Sequence, residues 1–147
     1  MKTKKLLSLP KKIFLFMLAS MILFSFSSNA QKIVFLTSSE VPAAKGYVKV
    51  KTDKNNNYVI KAKVSNLAEV TRLQPSRETY VVWMVTDEEN TENIGQLISS
   101  KRFRSKAMNA SIETVTSSRP IKIYISAEND GSISSPDGQI VLTTDIF

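Results

Sequence analysis

The chain has 147 residues, no cysteine and no histidine, and its 20 basic residues outnumber the 13 acidic ones by seven. Without cysteine no disulfide braces an exported domain and no lipid is attached through a thiol; without histidine, Ser-His and Cys-His catalysis, the commonest zinc ligand and a pH switch near neutrality are excluded. Hydrolytic chemistry is left with serines, lysines and carboxylates paired across a cleft. With the acidic residues mainly in turns, the expectation is a non-enzymatic protein with no catalytic residue, cofactor or metal.

At the N-terminus Lys2, Lys4, Lys5, Lys11 and Lys12 precede a charge-free run, IFLFMLASMILFSF at 13–26, and SSNAQ follows. These are the parts of a secretory signal peptide, with Ser28 and Ala30 as the small residues before a cut between Ala30 and Gln31. Fourteen residues at about 1.5 Å each span roughly 21 Å, short of the roughly 30 Å hydrocarbon core. If the cut is not made, residues 13–26 become a membrane anchor, the only route by which membrane contact is expected. Either way the lysines keep the N-terminus in the cytoplasm, and residues 31–147 are expected to be extracytoplasmic, in the periplasm or secreted. Residues 1–30 are thus read as the signal and 31–147 as one domain, which buries somewhat over 60% of its unfolded surface. That domain keeps fifteen basic residues against thirteen acidic ones, a net charge of +2. Nucleic acid is therefore not an expected partner. The runs DEENTEN at 87–93 and KRFRSK at 101–106 read as solvated loops of opposite sign.

From residue 32 onward the pattern has period two. After KIVFLT at 32–37, GYVKVK at 46–51 sets Val48 and Val50 against Lys49 and Lys51, and YVIKAKV at 58–64 sets Ile60, Ala62 and Val64 against Lys61 and Lys63. The intervening DKNNN at 53–57 supplies Asp and Asn for a tight turn, so the two runs form a hairpin facing core on one side and water on the other. NLAEVTRLQPS at 66–76 is the one place for a helical turn, stopped by Pro75. YVVWMV at 80–85 is apolar on both faces, with Tyr80, Val82 and Met84 on one and Val81, Trp83 and Val85 on the other. Such a strand is central in its sheet and needs a cover for its second face; Trp83 is read as core rather than as an exposed ligand platform. IGQLIS at 94–99, MNASIETV at 108–115, IKIYISA at 121–127 and QIVLTT at 139–144 follow, with Tyr124 on the outward side of IKIYISA. Seven or eight short strands punctuated by proline and glycine point to an all-β antiparallel sandwich, immunoglobulin-like in general architecture.

Taken in order, KGYVKV near Gly46, SNL at 65–67, LQPSRETYVVWMV with Pro75 ahead of Tyr80 and Trp83, NIGQL around Gly95, IYISAENDGS around Glu128 and Gly131, and PDGQIVL around Pro136 and Gly138 resemble the C-terminal extracytoplasmic domain of anti-sigma-K factors. The resemblance covers nearly all of residues 31–147 and implies a β-sandwich outside the membrane. In that family a separate cytoplasmic segment grips the sigma factor. Here about a dozen residues precede the apolar run, against the roughly 20–30 a side that a stable interface uses, so direct sigma-factor binding is not expected. The named motif positions carry over as structural ones, with Glu128 expected to cap the turn formed with Asn129, Asp130 and Gly131. The expected function is an exported, non-enzymatic envelope interaction or sensory module with a protein partner. The alternatives are a secreted glycan or small-ligand binder using Tyr47 or Tyr124, and a membrane-tethered relative of anti-sigma factors.

Overall fold

The computed structural model describes residues 30–100 and 108–147. The apolar run at 13–26 and the basic run at 101–106 lie outside the described residues, whereas Ala30 and Gln31, the expected cleavage pair, stand at the entrance to the fold. Nine strands follow in order: β1 Gln31–Val34, β2 Lys45–Thr52, β3 Tyr58–Leu67, β4 Thr79–Thr86, β5 Thr91–Gln96, β6 Ile98–Ser100, β7 Met108–Thr116, β8 Pro120–Glu128 and β9 Gln139–Thr143. They form a five-stranded sheet in the order β1-β2-β3-β7-β6 and a four-stranded sheet in the order β5-β4-β8-β9. All neighbours are antiparallel. The chain is an antiparallel β-sandwich.

Alternation decides which side chains meet between the sheets. Val48, Ile60, Ala62 and Val64 point inward from β2 and β3 and pack with Tyr80, Val82 and Met84 of β4 and Ile123 and Ile125 of β8. Burying each of the larger aliphatics stabilises the fold by about 1.5–3 kcal/mol relative to leaving it in water. Among the described residues, the buried side chains of this core run from Phe35 to Leu142. The β2–β3 hairpin closes as its composition predicts: Asp53 Oδ1 accepts hydrogen bonds from the Asn55 and Asn57 amides at 2.7 and 2.9 Å, and Asn56 takes φ 63°. Those amide bonds, with Asn57 first, hold the Asp53 carboxyl below its ordinary range. The expected helical turn contracts to one 3-10 turn, Val70–Arg72, and Leu73 is already extended two residues before Pro75.

One expected strand is in fact two. IGQLIS at 94–99 divides at Leu97: β5 pairs with β4 in the four-stranded sheet, while β6 pairs with β7 in the five-stranded one. A bulge precedes the crossing: the register jumps from Val82 opposite Gly95 to Trp83 opposite Asn93, leaving Ile94 extra, and Gln96 still pairs with Val81. Gly95 sits at φ 121°, its N–H donates to Asn93 Oδ1 at 2.9 Å, and the Leu97 N–H donates to the Tyr80 carbonyl at 2.9 Å. A bulge with glycine at its bend re-aims a strand, which here passes from one sheet to the other. In Gly95→Ala a Cβ would lie 2.8 Å from Ile112 Cδ1 on a backbone that side chains rarely adopt. The variant should lose about 1–3 kcal/mol, read as a lower denaturant midpoint at unchanged slope. An unmoved midpoint would show that the crossing does not depend on this glycine.

Candidate binding surface

The outer face of the four-stranded sheet is closed around Trp83, while Ile140 on β9 at its edge stays exposed. Trp83 is 0% exposed and Tyr124 8%, and their rings stack with centroids 6.3 Å apart and an interplanar angle of 18°. Val81 completes the cluster, and Ile133, from the loop between β8 and β9, packs against it. Asn93 fastens that loop by donating from Nδ2 to the carbonyls of Gly131 at 3.0 Å and Ile133 at 2.8 Å. Beneath it Trp83 Nε1 donates to Ser126 Oγ at 2.8 Å, and Ser126 Oγ donates to Glu128 Oε1. Glu128 is only 2% exposed.

This corrects the expectation for Glu128, which does not cap the following turn. It ends a buried hydrogen-bonded chain that satisfies the indole, and Asp130 instead holds the turn, its Oδ1 accepting from the Ser132 amide and hydroxyl at 2.8 and 2.7 Å. A polar group enclosed this way must find its partners within the protein, so the tryptophan, serine and glutamate specify one another. The remaining motif positions surround this assembly. A Cβ on Gly138 would lie 1.8 Å from the Ala127 carbonyl and 2.6 Å from Glu128 Oε2, and one on Gly131 would lie 2.0 Å from the Gln96 side chain. Both glycines let the loop lie flat over the sheet. Pro75 and Pro136 are exposed in loops. Tyr80 faces the main core and donates its hydroxyl to the Ala68 carbonyl at 3.1 Å. Tyr124, expected to point outward toward a ligand, does point outward but lies under the loop.

The outer face of the five-stranded sheet is open, and it is lined with lysine. Lys32 of β1, Lys49 of β2 and Lys61 of β3 stand directly opposite one another across three neighbouring strands, with Glu113 of β7 closing the row. The next row reads Val34, Tyr47, Lys63, Ser111 and Ile98 from edge to edge. On the other side Lys51 faces Val59 and Val115. Like charges directly opposite in a ladder disfavour the pairing, and in this row the opposite charge stands only beside Lys61, at its Glu113 end. Glu113 is hydrogen-bonded and ion-paired with Lys61, and this partner, reinforced by Lys51 and Lys63, holds its carboxyl below the ordinary range. Lys32 and Lys49 place their ammonium groups 4.6 and 5.7 Å from the centre of the Tyr47 ring. Beside Tyr47 lies a shallow depression of about 560 Å³ whose lining includes Lys32, Lys45, Lys63 and Ser65.

In the sequence Lys49, Lys51, Lys61 and Lys63 read as the water-facing half of alternating strands, and Lys32 only as the start of a strand, so the row was missed. The signal that would have found it is register: the tight 53–57 turn sets Lys49 against Lys61, but the pairing of β1 with β2 has no such local marker. Ser126 was passed over for a related reason, since nothing in IKIYISA marks its side chain as the partner of Trp83.

Two outcomes follow from this packing. Trp83→Ala removes the indole, opens a cavity and leaves the Ser126 hydroxyl without its donor; it should cost about 3–5 kcal/mol and leave the chain largely unfolded. Melting within a few degrees of the parent would contradict the enclosure. Burial pushes the Tyr80 phenol up to about 12. The unfolded chain loses that proton near pH 10, so the stabilisation is complete below pH 10 and is lost as pH rises toward 12, by about 2–3 kcal/mol. Tyr80→Phe should flatten this alkaline fall relative to the parent, as followed by denaturant midpoints from pH 8 to pH 12 (roughly the window of phenol titration), and an identical fall in both proteins would contradict it.

Comparison with protein-family models, curated proteins and solved structures found no match.

Proposed function

We propose that this chain is an exported, non-enzymatic interaction module of the cell envelope that engages its partner through the outer face of the five-stranded sheet. The observation that carries the reading is the row of Lys32, Lys49 and Lys61, which sets like charges opposite one another and has one carboxylate at its end. Local violations of the pairing rules are expected where a surface serves binding rather than folding. The alternation and export signals of the sequence support the same reading, as does its resemblance to the outer domain of anti-sigma-K factors. On that resemblance the motif residues build the scaffold, and any influence on a sigma factor passes through an envelope partner.

The test is retention of the chain from Gln31 by fractionated envelope, compared with a Lys32→Gln, Lys49→Gln, Lys63→Gln variant, which removes two lysines of the row and the neighbouring Lys63 and keeps the Lys61–Glu113 ion pair. The parent should be retained and released by salt, because surface charge attraction is screened over about 8–10 Å at physiological ionic strength. The variant should be retained at least tenfold less while melting at or above the parent temperature. Equal retention of the two proteins, or none by the parent, would contradict the proposal.

A further inference from the structure

The lysine face is not purely polar. Val34, Ile98 and Val115 point out of the same face and are 62%, 76% and 58% exposed, at its two edges and toward one end. Tyr47 lies between them with lysines over its ring. Aliphatic side chains and an amphipathic ring set among long cationic side chains match the interface of a bilayer, where ammonium groups reach headgroups while apolar atoms enter the acyl boundary. A soluble polyanion would satisfy the lysines and leave the valines and isoleucine in water. The strongest cluster of opposite charge, Asp87, Glu88 and Glu89, lies in the turn between β4 and β5, both strands of the other sheet. The chain also enters the sandwich through β1, an edge of the sheet that carries the lysine face, five residues after the apolar run ends at Phe26.

Resting on the binding role proposed above for this face, we infer that its occupant is an anionic phospholipid surface, with Lys32, Lys49, Lys61 and Lys63 over the headgroups and Val34, Ile98 and Val115 at the acyl boundary. Membrane contact then belongs to the folded domain itself and does not require an uncleaved N-terminal segment.

The experiment is co-sedimentation of the chain beginning at Gln31 with vesicles of phosphatidylglycerol and phosphatidylcholine, with phosphatidylcholine vesicles and with soluble dextran sulfate as references. The parent should bind the acidic vesicles in a salt-dependent manner and leave the neutral ones unbound. At about fivefold per lysine, the Lys32→Gln, Lys49→Gln, Lys63→Gln variant should lose on the order of a hundredfold in partitioning. Val34→Thr, Ile98→Thr, Val115→Thr keeps β-branched residues and every charge, and it should lose about tenfold on acidic vesicles with no change toward dextran sulfate. The threonine variant should melt as the parent does, and the lysine variant at or above the parent temperature. Absence of binding to acidic vesicles, or equal binding by the parent and the lysine variant, overturns the inference. So does an unchanged affinity of the threonine variant, which would mark the partner as a polyanion such as an acidic glycan. If acidic vesicles fail while lipid-free envelope extract retains the parent but not the lysine variant, the lipid assignment falls and the interaction reading stands; if neither retains it, both fall.

Discussion

A strand with apolar side chains on both faces has to be covered twice, and β4 is that strand here. Its Tyr80, Val82 and Met84 face the five-stranded sheet and form the main core, which places the strand inside its own sheet between β5 and β8. Its Val81 and Trp83 face the other way and would remain in water unless something else covered them. Tyr124 and the β8–β9 loop do so, and Asn93 ties the loop down from β5. Covering β4 on its second side encloses the middle of the outer face of the four-stranded sheet. The outer face of the five-stranded sheet differs, because its strands alternate apolar and charged residues.

The two outer faces contrast in how they treat polar groups. Under the loop, the Trp83 indole, the Ser126 hydroxyl and the Glu128 carboxylate form a closed chain in which each group answers the need of the one before it. Removing Ser126 would leave both the indole and the carboxylate enclosed without this partner, and removing either end would leave the hydroxyl with one bond fewer, so this cluster tolerates little change. On the open face the lysines need no partner within the protein, because water solvates them and their long stems let the ammonium groups spread apart. Their repulsion is modest and screened, which is how a row of three like charges persists in a stable sheet. Such a row is also the part of the surface most readily relieved by a negative neighbour.

Much of the fold was legible in the sequence because alternation is a local property. The hairpin around residues 53–57, the inward positions of β2, β3 and β8, and the central place of β4 follow from side-chain period and turn chemistry alone. The division of 94–99 into β5 and β6 does not, since it depends on a backbone angle at Gly95 and on pairing with two strands far apart in sequence. Burial of Glu128 and Tyr124 was equally invisible. IKIYISA marks Tyr124 as outward, which is true of the sheet and false of the molecule, and Glu128 stands beside turn residues that suggest a cap. The lysine row needed the register of three strands, of which the turn supplied one pairing and the fold the other.

The central claim is that one outer face is sealed and the other open, and hydroxyl-radical footprinting with peptide mass readout tests it on three aromatic rings in a single exposure. Tyr47, partly exposed among the lysines, should be modified rapidly, while Trp83 and Tyr124 should be protected until the chain is unfolded. Modification of Trp83 and Tyr124 in the folded chain as fast as that of Tyr47 would contradict the account, because the loop would then not be closing the four-stranded sheet.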